Sequence, residues 1–284
     1  MCQASLAFSL MALGVKKVSA TLPALEVVFF RSLLGTLMIG ALILRKRVSF
    51  FGKPNQRKML FLRGFSGFIA LSLHFYTLSL LPLGTAVMLN YTGPFFVALL
   101  ATIFLKEKLT PFLTAMILVS FSGVYLLVEP RFQGSASQMP AILLALLSAV
   151  FAAVVALCIR WVRHRESPLT IIFYFTAIST IGSLIYLPFG FDWPNGKKGL
   201  WILLIAVGSF YGQLWMTISY RRAPASLVSP FAYLTPLLSF FYGMIFWKQA
   251  LTLHQLAGIF LIILGGTLVC IVENRRKRQT MVTV

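Results

Sequence analysis

The sequence predicts an all-α membrane protein with ten transmembrane helices, built as two inverted five-helix repeats. Three observations predict it: an apolar composition, apolar segments that recur along the whole chain, and an internal repeat. Of 284 residues, 59% are hydrophobic and only 11% are charged. So few charged residues cannot cover the surface of a soluble domain of this size.

Ten segments are long enough, or nearly so, to cross ~30 Å of hydrocarbon at 1.5 Å per helical residue. They are residues 1–15, 24–44, 59–80, 82–104, 111–128, 139–162, 168–188, 199–220, 224–247 and 252–272. The first is short, because Lys16 and Lys17 end it. We expect a short or clipped helix there rather than a signal peptide, since no basic segment precedes the apolar residues.

The net charge of +19 is distributed unevenly across these segments. With a cytoplasmic N-terminus, 17 lysines and arginines fall on the cytoplasmic side and 6 on the other. This is the positive-inside pattern, so no nucleic-acid partner is needed to explain the charge. We expect both termini in the cytoplasm, a basic cytoplasmic tail at 273–284, and a multi-pass protein of a bacterial inner membrane. The expected partners are the lipid bilayer and a small-molecule solute; the oligomeric state stays open.

An internal repeat relates the two halves of the chain. Residues 91–126 align with residues 233–268 without a gap. The matched pairs are Tyr91 with Tyr233, Pro94 with Pro236, Phe104 with Phe246, Lys106 with Lys248, Leu109-Thr110 with Leu251-Thr252, and Gly123 with Gly265. The first unit is 1–130 and the second 139–272. Because each holds five segments, an odd number, the second must cross the membrane in the opposite sense.

Inverted repeats of this kind are typical of secondary transporters, which bind solute near the bilayer midplane. Interrupted helices are common there, because freed backbone groups are tolerated where they face a cavity. Gly93 and Pro94, matched by Pro236, predict such helix breaks. The alternative is that these residues only kink their helices and that neighbouring helices relieve the kinks.

Several short motifs resemble those of one carrier family. They are Leu81-Pro82-Leu83-Gly84-Thr85-Ala86, Asn90-Tyr91-Thr92-Gly93-Pro94, Phe104-Leu105-Lys106-Glu107 and Val27-Val28-Phe29-Phe30-Arg31. With the ten-segment repeat, they resemble an EamA-type carrier of the drug/metabolite transporter superfamily. The resemblance implies solute transport but leaves the solute open, since members carry amino acids, S-adenosylmethionine or nucleotide sugars. The second repeat departs from the pattern, with Lys248-Gln249-Ala250 where an acidic residue is usual.

Polar residues within the predicted spans are the candidate solute-binding groups, because ionisable and polar groups at that depth are costly. Arg31 could bind a carboxylate or phosphate through its planar guanidinium, or it could tie helices together. Arg63 lies near the end of its span, where its side chain is expected to reach the headgroups. The predicted cavity residues are Arg31, Tyr76, Asn90, Tyr91, Tyr211, Gln213, Trp215 and Tyr233.

This set suits a small amino-acid-like metabolite with a carboxylate and an apolar part. A nucleoside-derived solute such as S-adenosylmethionine or a nucleotide sugar is the alternative. Glu26 and His74 are candidate proton-coupling groups, although His74 also suits an interhelical hydrogen bond. Catalytic carboxylate pairs, metal-ligand clusters and phosphate-binding loops are absent from the sequence, so neither an enzyme nor a cofactor or metal is expected. A membrane enzyme or lipid-handling protein remains the alternative class.

Overall fold

The computed structural model describes residues 1–93, 95–97, 99–100, 111–128, 138–162, 165–189, 193–222 and 229–282. Within these ranges the chain is helical, and no strand occurs in them. The principal helices are α1 (Cys2–Val18), α2 (Ala24–Lys46), α3 (Arg57–Leu80), α4 (Leu83–Asn90), α5 (Pro111–Val128), α6 (Met139–Val162), α7 (Pro168–Ser183), α8 (Gly196–Arg222), α9 (Leu234–Trp247) and α10 (Leu253–Val282). Short 3-10 turns at Pro54–Gln56, Leu184–Phe189 and Ser229–Tyr233 flank α3, α7 and α9.

Prolines mark several helix starts, as their fixed φ and missing N–H favour. Pro23 and Pro82 immediately precede α2 and α4, and Pro168 opens α7. In α7 the hydroxyl oxygen of Ser167 also accepts a hydrogen bond from the backbone N–H of Leu169. Such a cap satisfies one of the first amide groups, which have no partner within the helix.

The helices follow the predicted segments, with several differences in length. The seventh ends at Ser183 and the ninth begins at Leu234, inside the predicted segments 168–188 and 224–247. The first helix is longer than predicted and continues through Lys16 and Lys17 to Val18. The fourth ends at Asn90, inside the predicted span 82–104. The last continues through most of the predicted tail to Val282.

Within the part of the chain that the structure describes, five helices are long and apolar enough by themselves to cross a membrane. They span Ala24–Lys46, Pro54–Leu80, Met139–Ile159, Pro168–Tyr186 and Gly196–Ser219. Shorter apolar helices cover Thr114–Leu127, Phe231–Trp247 and Leu253–Leu268. Large apolar side chains such as Leu37, Leu118 and Phe260 are more than 60% exposed on the outer surface. Since a soluble protein exposes few such contiguous groups, the chain is a multi-pass integral membrane protein.

The helices α2, α3, α7 and α8 pack around the centre of the bundle. Helix α2 contacts α7 and α8, and α3 contacts α7. Outside them, α1 lies along α8, α6 lies along α3, and α4 contacts both α6 and α9. Helices α5 and α10 form a separate close pair.

Two glycines let α5 and α10 cross at backbone contact. A Cβ atom on Gly258 would lie 2.6 Å from both the carbonyl oxygen of Gly123 and the amide nitrogen of Leu127. A Cβ atom on Gly123 would lie 2.8 Å from the carbonyl oxygen of Gly258. No larger residue fits at this crossing without separating the helices, a use of glycine that is common between membrane helices.

Candidate functional site

Arg31 lies deep inside the bundle. Its side chain extends from α2, is only 3% exposed, and donates from Nε to the hydroxyl oxygen of Ser209 at 2.8 Å. Ser209 lies midway along α8, so the guanidinium reaches the middle of the apolar layer. Its Nη1 makes no hydrogen bond within the part of the chain that the structure describes. Arg31 therefore has donor capacity left over at mid-depth.

A second arginine lies beside the first. Arg63 extends from α3, is also 3% exposed, and has no described hydrogen-bond partner at Nε or Nη1. The expectation that this side chain reaches the headgroups is therefore wrong. Its guanidinium carbon lies 4.4 Å from the ring centroid of Phe175 on α7, and that of Arg31 lies 5.1 Å from the same centroid. A Cβ atom on Gly67 would lie 2.8 Å from this ring, so the glycine makes room for it.

The two guanidinium groups repel each other. Because both lie near one ring, their central carbons are at most about 10 Å apart. At an effective dielectric constant of about 20, two unit charges at that distance repel by about 2 kcal/mol. Within the described ranges, neither guanidinium has a carboxylate in ion-pairing contact. The face of Phe175 partly compensates the charge, since an aromatic face attracts cations.

A small pocket adjoins Arg31 between α2, α7 and α8. Its volume is about 10 Å³, which is room for about one water molecule. Its lining residues are Arg31, Gly35, Ile39, Ile172, Thr176, Ser209, Phe210 and Gln213. Two predicted site residues, Arg31 and Gln213, thus meet here. The packing around them is closed, so a metabolite-sized solute would require the helices to separate.

The two matched tyrosines of the repeat meet in the structure. The rings of Tyr91 and Tyr233 have centroids 6.0 Å apart and are tilted by 52°. Tyr91 and Thr92 form a turn after α4, and the chain is helical again at Gly93. Tyr233 ends the 3-10 turn that precedes α9. An irregular turn therefore lies at the aligned position of each half, and the tyrosines of the two turns contact each other.

The predicted break residues are placed as follows. Gly93 is helical, and a Cβ atom there would come no closer than 3.9 Å to the described atoms around it. Pro236 is the third residue of α9, where its missing N–H removes no hydrogen bond within the helix. Pro94 lies outside the described residues.

Asn90 joins three helices. Its Nδ2 donates to the hydroxyl oxygen of Ser148 on α6 at 2.8 Å. The Ser148 hydroxyl in turn donates to the carbonyl oxygen of Ala70 on α3, also at 2.8 Å. The side chain that the sequence assigns to solute therefore has a structural partner at its amide nitrogen.

The remaining predicted residues do not line the pocket beside Arg31. Tyr76 is 47% exposed and Tyr211 is 42% exposed. The Tyr211 ring pairs with that of Trp215 at 5.1 Å between centroids. For the candidate proton-coupling groups, Glu26 is buried in the first turn of α2, and His74 has a buried Nδ1 without a hydrogen bond to any described residue.

Three residues of the site were not found from the sequence: Arg63 in this role, Phe175 and Ser209. Ser209 precedes Gln213 by four positions, so the two share a helix face, and this signal could have found it. Phe175 gave no signal, because it is one of 26 phenylalanines. Its role depends on which helices meet at the centre.

Comparisons with known proteins point to one family. The family model described as the EamA-like transporter family matches residues 1–129 and again 139–271. The chain is 35% identical over 279 residues to the pseudopaline exporter CntI of Pseudomonas aeruginosa, covering 97% of this chain and 94% of that one. It is 26% identical over 264 residues to human solute carrier family 35 member G1, covering 88% and 72% of the two chains.

A solved crystal structure shares the fold. It superimposes with a TM-score of 0.69 at 21% identity and covers 96% of both chains. The family match spans nearly the whole sequence, and the exporter and the solute carrier named above match it over most of its length. The chain therefore belongs to the EamA-like transporter family, within the drug/metabolite transporter superfamily.

Proposed function

We propose that this protein is a secondary transporter that moves a small, acidic, amino-acid-like metabolite by alternating access at a central site between its two halves. The observation that carries the proposal is the guanidinium of Arg31. It is buried at mid-depth, is held by Ser209 and borders a pocket, and one of its nitrogens lacks a described partner. A buried cation with unused donors suits a carboxylate, which accepts charge-assisted hydrogen bonds.

The proposed architecture is ten membrane crossings in two inverted units, 1–130 and 139–272. Helix packing supports it. Replacing each helix by the one five positions later turns the α1–α8 contact into α6–α3, and the α3–α7 contact into α8–α2. The pairs α2–α7, α4–α9 and α5–α10 map onto themselves. In such carriers solute binds where the repeats meet, and the two halves rock around it.

We propose that both termini lie in the cytoplasm of a bacterial cell and that net transport is outward. The positive-inside pattern supports the first proposal, since basic residues accumulate on the cytoplasmic side. The relative at 35% identity is an exporter, which supports the second. Glu26 and His74 remain the proposed proton-coupling groups, because both are partly or fully buried and titratable.

The positive site also ranks the solutes. S-adenosylmethionine carries a sulfonium cation, which the two buried guanidiniums would repel. Amino acids with an acidic side chain and nucleotide sugars are anionic and would be attracted. Among these, the amino-acid-like class fits the small pocket better, because it needs the smaller opening of the bundle.

The test begins with a thermal-shift screen of the purified protein, because a ligand stabilises the state that it binds. The panel holds amino acids, nucleosides, sugar nucleotides, S-adenosylmethionine and pseudopaline. Hits are then measured for uptake into sealed vesicles containing the protein. We expect an acidic hit to be transported unchanged.

Two variants accompany the transport assay. Arg31→Gln should weaken solute binding by about 10- to 150-fold, the value of a charge-assisted hydrogen bond of about 1.5–3 kcal/mol. Arg57→Gln is the matched control, because Arg57 is exposed on α3. Chemical conversion of the solute by protein in detergent would instead identify an enzyme and end the proposal.

A further inference from the structure

We propose that Arg31 and Arg63 form one site for a solute with two acidic groups, and that Phe175 holds both guanidiniums while the site is empty. This inference rests on the proposed function and names its solute class more narrowly. It differs from a single-carboxylate site in giving Arg63 a direct part in recognition.

Burial without anionic partners is the first step. Both arginines are 97% withdrawn from the surface, and three of their nitrogens have no described hydrogen-bond partner: Nη1 of Arg31, and Nε and Nη1 of Arg63. Buried charges in proteins are normally paired with an opposite charge or bound to a ligand. Here the described surroundings offer a phenyl ring, one hydroxyl group and, near Arg63, the thiol of Cys158 in place of a carboxylate.

The shared ring is the second step. The ring centroid of Phe175 lies 4.4 Å from one guanidinium carbon and 5.1 Å from the other, so both cations contact the same ring. The two guanidinium carbons are therefore at most about 10 Å apart. One small solute that reaches both can place one acidic group at each guanidinium.

A comparison within α3 shows that ring contact alone does not explain the burial. Arg57 lies over the ring of Phe51, with its guanidinium carbon 6.0 Å from the centroid, and is exposed to solvent. An arginine can therefore contact a phenylalanine and keep its hydration. Arg63, six residues further on, is buried, and its Nε and Nη1 have no described hydrogen-bond partner.

The site should select diacids over monoacids of the same shape. A solute with one acidic group leaves one buried guanidinium uncompensated, whereas a diacid neutralises both. Replacing one carboxylate by an amide keeps the size and removes the charge. The ratio of affinities within such a pair therefore measures the second guanidinium directly.

The experiment measures binding to the purified full-length protein by thermal shift and calorimetry. The matched pairs are glutamate with glutamine, aspartate with asparagine, and succinate with succinamate. We expect wild-type protein to bind at least one diacid about 10- to 150-fold more tightly than its amide partner, the value of one charge-assisted contact. Arg63→Gln should bring this ratio close to one while binding of the amide partner persists.

Controls fix the interpretation. Arg57→Gln should keep the wild-type ratio, because Arg57 is exposed and contacts the ring of Phe51. Arg63→Lys keeps the charge but loses the planar fork, so it should lower the ratio less than Arg63→Gln does. It replaces Arg63→Gln if that variant does not fold, and an unchanged ratio in Arg63→Lys then counts against the proposal.

Equal binding of both members of every pair by the wild type overturns the inference, as does an unchanged ratio in Arg63→Gln. Vesicle transport separates this failure from failure of the proposed function. A protein that transports a monoacid with no preference for diacids is a transporter without the paired site. A protein that transports no member of the thermal-shift panel, but converts one of them chemically, fails at the level of function.

Discussion

Replacing Arg63 by methionine should raise the thermal stability of the solute-free protein. The substitution removes repulsion of at least about 2 kcal/mol between guanidiniums that are at most about 10 Å apart. It also removes two buried donors that lack described partners, each costing about 1–3 kcal/mol. Against this, it loses a desolvated cation–π contact with Phe175 of about 2 kcal/mol. The unbranched side chain of methionine fills most of the space of the arginine stem.

These contributions leave a net stabilisation of about 2 to 6 kcal/mol. At about 2–4 °C per kcal/mol for chains of this order of size, the lower end of this range raises the unfolding midpoint by roughly 4–8 °C, which is the smallest rise expected. Intrinsic tryptophan fluorescence during heating in one detergent measures it, and Arg57→Met is the exposed control, with an expected change within about 0.5 kcal/mol. A midpoint for Arg63→Met below that of the control would show that Arg63 stabilises the fold, and the reasoning from unpaired charge would be refuted.

Three further outcomes are expected. Ser209→Ala removes the only described hydrogen-bond acceptor of Arg31, so solute affinity should fall about 5- to 10-fold, about 1 kcal/mol, in the calorimetric assay; unchanged affinity would separate Ser209 from the site. Gly258→Ala should broaden or shift the size-exclusion peak because its Cβ has no space, whereas Gly93→Ala should behave as wild type, with its Cβ 3.9 Å from the described atoms; equal behaviour of the two would contradict the close crossing. In a protein with its native cysteines replaced by serine, single cysteines at Ser49 and Asn195 should label from the cytoplasmic and external sides respectively, and the reverse pattern would invert the topology.

The positions of the helices could be predicted because membrane insertion depends on local composition. Apolar segment length and flanking charge determine where a helix crosses, and neither requires knowledge of neighbouring helices. The predicted span 82–104 differs from the structure, where α4 ends at Asn90. The turn at Tyr91 and Thr92 falls within the motif Asn90-Tyr91-Thr92-Gly93-Pro94. Its polar and flexible residues signalled an irregularity but not its exact place.

The composition of the site was harder to predict, because it depends on which side chains converge from different helices. The depth of Arg31 could be predicted from the sequence, because Arg31 lies seven residues after Ala24, the start of its span. Arg63 lies six residues from the start of α3, where a long side chain can turn either to the headgroups or inward. Only the position of Phe175 on α7, with space left by Gly67, shows that it turns inward.

The scarcity of acids links the charge of the site to its stability. The sequence has 25 lysines and arginines but only 6 aspartates and glutamates. One of the acids, Glu166, accepts a hydrogen bond from the backbone N–H of Lys53 at 2.7 Å in the loop before α3. Neither buried guanidinium contacts a carboxylate in the described ranges. On the proposed function, the opposite charge comes from the solute, and solute binding relieves the repulsion between the two guanidiniums.

That coupling gives one variant two effects of opposite sign. Arg63→Met should raise the midpoint of the empty protein and reduce the further rise that a diacid produces. Replacing an arginine that only stabilises the fold would lower the midpoint of the empty protein. It would leave the further rise with a diacid unchanged, because the partners of that arginine would be protein groups in both states. Replacing an exposed arginine such as Arg57 would change neither the midpoint of the empty protein nor the further rise with a diacid. The two midpoints measured with and without a diacid therefore distinguish a residue kept for its solute from one kept for the fold.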